Sequence, residues 1–182
     1  MLSMDVYDTI YAVLTANDNR IRGRTTIQKL VYLSSKKIPE LDVPPYKAHY
    51  YGPFSPGVGW ALETMTSYSF LYEASIPGAQ GYTYGLTDDG CKIAARAKKD
   101  NIKAFEKISD IVKVCNDFCK LKIPPLSYAS KIHYMVHSDT SGNSMSFSDA
   151  VKYAHKLGWK VSEDDVEQGA KLLERLNLVK VC

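Results

Sequence analysis

The sequence predicts a mostly helical α+β chain, in which a helical unit carrying one small β-hairpin is followed by a second helical unit. Three observations predict it. Apolar residues recur at helical spacing through most of the chain. Two β-rich runs, "FLYEASI" and "YTYGL", flank the five-residue turn "PGAQG". Finally, "HYYGPFSPGVGW", His49 to Trp60, gathers prolines and glycines around a single serine, which marks a sharp turn into a helix.

Taken in order, Leu2, Val6, Ile10, Val13 and Leu14 form the stripe of a first helix, which "NDNRIRG" breaks. Thr25 with Gln28 reads as a capping box, and Ile27, Leu30 and Val31 give the second helix its stripe before Pro39, Pro44 and Pro45 stop it. "YKAHYY" alternates and is expected as a short strand, turned by Gly52 and Pro53. Ser55 is a good N-cap and Pro56 suits the first helical position, so a third helix starts there. Its buried side is expected to be Val58, Ala61, Leu62 and Met65. Helix, helix, strand, helix and hairpin describe a winged helix-turn-helix domain over residues 1–98.

Beyond the hairpin, Thr87, Asp88 and Asp89 cap a further helix. Phe105, Ile108, Val112, Cys115 and Cys119 continue it as a long connecting helix over 99–123, ended by Pro124 and Pro125. Residues 124–182 then read as a degenerate helix-turn-helix unit. It comprises a helix from about Leu126, a polar loop "SDTSGNSMS", a helix across "FSDAVKYAHKL", a turn at Gly158 and a last helix from Ser162.

Several of these residues resemble a known family. Gly23-Arg24-Thr25 with Gln28, Lys29 and Tyr32, then His49 to Ser55, then Leu86-Thr87 with Gly90, are similar to the YwgA-like family of small archaeal and bacterial proteins. The likeness is more distant to the SocA-type antitoxin (Panacea) domain. The match spans roughly residues 20 to 95. It implies a winged-helix fold and a regulatory or antitoxin-like setting, with no catalytic residues.

Composition excludes other classes. The chain has 182 residues, 45% hydrophobic and 24% charged, which is ordinary for a soluble globular protein and excludes disorder or collagen-like structure. The N-terminus lacks a signal-peptide layout and no window is long and apolar enough for a membrane span, so a cytoplasmic setting with no membrane partner is expected. Cys91, Cys115, Cys119 and Cys182 show no disulfide-scaffold spacing and are expected as free thiols. Cys115, Cys119, His133 and His137 follow the ligand order of a zinc finger. If two helices fold back around Pro124 and Pro125, however, Cys119 lies opposite Ser130 and His137 sits ~10 Å further down. No metal, cofactor or catalytic residue is therefore expected, and neither a nucleophile elbow nor a phosphate loop is present.

Two functions remain open: a DNA-binding transcriptional regulator, placed first by analogy with other winged helices, and, as the alternative, a protein-interaction or antitoxin-like module. The net charge of +3 says little, but from Arg20 to Tyr50 there are seven Lys or Arg against Glu40 and Asp42. Arg20, Arg22, Arg24, Lys29 and Lys47 are candidates to neutralise DNA phosphates, as in a weakly sequence-specific transcriptional regulator. Against base reading, the third helix contains no Lys, Arg, Asn or Gln. Its outward face is expected to be Trp60, Glu63, Thr64 and Ser67, a surface suited to a protein partner or to self-association. An indole there is covered by the second unit or anchors another chain.

Overall fold

The computed structural model describes residues 3–138 and 145–179. Leu2, most of the expected polar loop (139–144) and Cys182 lie outside them. Among the described residues the chain is mostly helical with one three-stranded antiparallel sheet, in line with the α+β class expected. It forms two compact units, one of residues 1–46 with 55–113 and the other of residues 47–54 with 114–182. Sequence spacing placed the divisions at 98 and 123 instead, and did not group 47–54 with the C-terminal residues.

In the first unit, α1 (Val6–Thr15) is capped by Asp5, whose carboxylate accepts from the Asp8 amide, and it buries Ile10, Val13 and Leu14. Asp18 and Asn19 then adopt left-handed φ of 52° and 61°, conformations that Asn and Asp tolerate best after glycine. They lead into β1 (Arg20–Arg22), a strand inside the segment read from sequence only as a break. Next comes α2 (Arg24–Lys37), whose N-cap is Gly23 at φ 90° with no side-chain cap. The capping box expected at Thr25 is therefore absent, because Thr25 is already inside the helix and glycine supplies the turn that no L side chain adopts easily.

The next helix, α3 (Pro56–Ser67), follows the sequence closely. Ser55 accepts from the Val58 amide, Pro56 occupies the first turn, and Val58, Ala61, Leu62 and Met65 are buried. β2 (Leu71–Ser75) and β3 (Tyr82–Leu86) form the hairpin, and β1 pairs on the free side of β3 to give the order β1-β3-β2. Ile21, Leu71, Tyr84 and Leu86 line the inner face of this sheet.

Thr87 caps α4 (Asp88–Asp100) by accepting from the Gly90 amide, and its hydroxyl donates to the Ser69 carbonyl at 2.7 Å. A Cβ at Gly90 would collide with the Phe70 carbonyl oxygen, part of a backbone already held by the Thr87 amide at 3.1 Å. Gly90→Ala is accordingly expected to destabilise this unit by about 3 kcal/mol, read from the denaturant midpoint. An unchanged midpoint would show that the helix start can shift. The Leu86-Thr87-x-x-Gly90 pattern thus has a structural cause.

The long connecting helix is two helices. α4 ends at Asp100, and α5 (Ile102–Cys119) begins after Asn101, whose side-chain amide donates to Asp8 and to the Ala97 carbonyl. Lys120 and Leu121 then turn through left-handed φ of 53° and 54°. Pro124 and Pro125 do not end α5 but lie in the first turn of α6 (Ile123–Ser138), where no intrahelical N–H is needed.

In the second unit, α7 (Phe147–Lys156) and α8 (Glu163–Arg175) begin at Ser146 and Ser162, the latter a complete capping box with Asp165. Gly169 lets α8 approach α6 closely: a Cβ there would lie 2.7 Å from the Tyr128 carbonyl carbon and 2.8 Å from the Ala129 nitrogen. The strand expected over "YKAHYY" is also absent. Residues 47–54 form a tight loop closed by reciprocal Lys47 and Phe54 backbone bonds of 3.0 and 2.9 Å. Within it, Gly52 at φ 93° donates to the His49 carbonyl.

Candidate functional site

The first turn of α2 projects Arg24 toward the outward side of α3 and toward the sheet. Its Nε donates to the Tyr84 hydroxyl at 3.3 Å, Nη1 donates to Glu63 Oε1 at 3.2 Å, and Nη2 lies 3.9 Å from Glu73 Oε2. The bond to Tyr84, together with the nearby carboxylates, raises the Arg24 pKa above its ordinary value, and burial pushes the Tyr84 phenol up as well. Arg24, Glu63 and Glu73 are partly exposed, so their ion pairs add little stability, while Tyr84 is buried beneath them. Its consequence is electrostatic: two carboxylates more than cancel one guanidinium and fix where it points.

The other candidate phosphate contacts are placed unevenly. Lys29 is only 1% exposed within α2, so it is not available to a DNA backbone. The reason is that Thr26 to Ser34 are buried without interruption, on every side of the helix rather than along one stripe. Arg20 and Arg22 project from the exposed side of β1, and neither makes an ion pair among the described residues. Lys47 is exposed and belongs to the second unit.

The outward face of α3 is as the helical spacing placed it. Trp60 is 69% exposed, Glu63 and Ser67 are exposed, and Thr64 is half-buried. Tyr68, the helix C-cap, extends this surface and is also exposed. The turn residues Gly52, Pro53 and Ser55 are buried, and Pro56 is half-buried, so they position the chain rather than present chemistry.

Cys115 and Cys119 lie buried on the apolar stripe of α5, where the Cys119 thiol donates to the Cys115 carbonyl at 3.2 Å. Burial pushes the Cys115 thiol up to about 12, so it is a poor thiolate. His133 and His137 stack ring on ring at 3.9 Å along α6. Among the described residues no group of three or more His, Cys, Asp or Glu side chains is placed to hold a metal ion. Among them, too, no helix is long and apolar enough to cross a membrane.

Two side chains matter more than sequence reasoning allowed. Trp159 is 1% exposed, and its indole N–H donates to the His49 carbonyl at 2.6 Å, tying the 47–54 loop into the second unit. Tyr72 lies across Gly85, its cross-strand partner, on the outer side of the sheet. Position after Gly158 was the one available hint for Trp159, and the alternation of "FLYEASI" the one for Tyr72.

No known protein family model matches this chain, and no curated protein is similar enough to serve as a relative.

Proposed function

We propose that the chain is a non-enzymatic regulatory protein whose first unit is a winged-helix module that docks another protein through the outward face of α3. The element order α1, β1, α2, α3, β2, β3, with the β2–β3 hairpin as the wing and β1 completing the sheet, supports the winged-helix reading. The observation that carries the docking surface is Trp60, an indole 69% exposed on the side of α3 opposite Val58, Ala61, Leu62 and Met65. Tryptophan is enriched among residues that dominate protein interfaces.

The same geometry weighs against duplex reading by α3. The helix carries no base-reading side chain, Arg24 at its border is neutralised by Glu63 and Glu73, and Lys29 is buried. The antitoxin-like setting implied by the family resemblance agrees with a protein partner.

The test is Trp60→Ala. Its unfolding midpoint is expected to stay within about 0.5 kcal/mol of the parent, as for an exposed site. Association should be lost, as a slower-sedimenting species if the partner is a second copy, or as a protein that co-purifies with the parent and not with the variant. Unchanged sedimentation together with unchanged co-purification contradicts the proposal.

A further inference from the structure

The cross-strand register sorts the sheet into two faces, because directly paired residues share a side and neighbours along a strand alternate. Arg20 pairs with Gly85, which pairs with Tyr72, and Arg22 pairs with Thr83, which pairs with Ala74. These six residues form the outer face, with Arg20, Arg22, Ala74 and Tyr72 exposed. None carries a carboxylate. Glu73 points to the other side, where it meets Arg24 and Tyr84.

We propose that this outer face is a platform for single-stranded nucleic acid, independent of the α3 surface. Glycine, threonine and alanine make a low floor. Tyr72 leans over Gly85 so closely that a Cβ there would meet its ring and hydroxyl, and the side chain is still 42% exposed. A phenol that leans over a glycine and stays partly exposed offers a ring on which a base stacks, as aromatic residues do on other sheet faces that bind single strands. On the far strand, Arg20 and Arg22 stand two residues apart, roughly 6.5 Å along β1, with no ion pair among the described residues to compete for them. They meet successive phosphates of a strand whose base lies on Tyr72.

An acidic peptide is the competing ligand, and the strand edge disfavours it. Extended peptides bind sheets by adding to an edge, but β1 is three residues long and its outer edge is already taken up at Arg20, whose amide donates to the Asn17 carbonyl at 3.1 Å and whose carbonyl accepts from the Asn17 side chain at 2.7 Å.

The test is fluorescence anisotropy of the full chain with a labelled mixed-sequence DNA strand of about 12 nucleotides, at about 50 and 200 mM salt. The expected result is binding with a log–log salt slope of about −1.4, as two single-strand phosphate contacts give. Arg20→Gln with Arg22→Gln should weaken binding at least tenfold and flatten that slope. Tyr72→Leu should weaken it about tenfold and Tyr72→Phe should preserve it. Trp60→Ala should bind like the parent. Thermal midpoints check that each variant is folded, and the exposed arginine pair decides the matter if Tyr72→Leu is not. Absence of binding at low salt, an unaffected arginine double variant, tighter binding of the corresponding duplex, or displacement by polyglutamate at lower concentration than by unlabelled strand would each overturn the proposal.

Discussion

Trp159→Ala is expected to lower the stability of the second unit by about 3–5 kcal/mol, the largest effect of any single substitution considered. The indole is almost fully buried, edge-on to Tyr134 with ring centroids 6.1 Å apart, and has the Lys131 ammonium 5.5 Å from its ring centre. Truncation leaves a cavity and removes the hydrogen bond that holds the 47–54 loop. Trp159→Phe separates these contributions: it keeps most of the packing, loses the N–H donor, and should cost about 1–2 kcal/mol. Hydrogen exchange should rise in residues 47–54 in both variants. A loss below about 1 kcal/mol for Trp159→Ala would mean that the loop is held by other contacts.

Gln28→Ala should destabilise the first unit by about 3 kcal/mol. Gln28 is buried in α2 and grips one residue at both ends: its Nε2 donates to the Ser55 carbonyl at 2.9 Å, and its Oε1 accepts from the Ser55 amide at 3.2 Å. The carbonyl retains a second partner, the Gly59 amide at 3.2 Å, but the buried amide would be left without its acceptor. An unsatisfied buried donor costs about 1–3 kcal/mol, and the emptied side-chain volume adds to that. Exchange of the Ser55 amide, slow in the parent, should accelerate in the variant. Slow exchange at Ser55 with an unchanged midpoint would show that the α2–α3 junction does not depend on this clamp.

The third helix was legible because every local signal agreed. Ser55 caps, Pro56 starts the first turn, and the apolar spacing fixes the rotation that leaves Trp60 outside. Elements whose cause is remote were not legible. Three residues, Arg-Ile-Arg, are too short to announce β1, which exists because β3 offers it an edge. Gln28 looked like half of a capping box, and its distant partner, Ser55, could not be read from local spacing. Lys29 counts as a surface charge in a periodicity reading, which shows only the most apolar side of a helix, whereas α2 is buried on every side from Thr26 to Ser34. The same limit applies to Arg24: its charge is visible in the sequence, its neutralisation by Glu63 and Glu73 is not. For the candidate site, sequence thus supplied the exposed face of α3, while the pairing of Arg24 with Glu63 and Glu73 came from the fold.

The account rests on α3 presenting Trp60 to another protein, and photo-crosslinking tests it most directly. A benzophenone amino acid placed at Ser67, on the same face with Trp60 intact, is predicted to yield a discrete adduct with one second chain in cells expressing the protein. That adduct should disappear when Trp60→Ala is added to the folded variant. The absence of any adduct at this position, or an adduct that persists undiminished without the indole, would contradict the proposal.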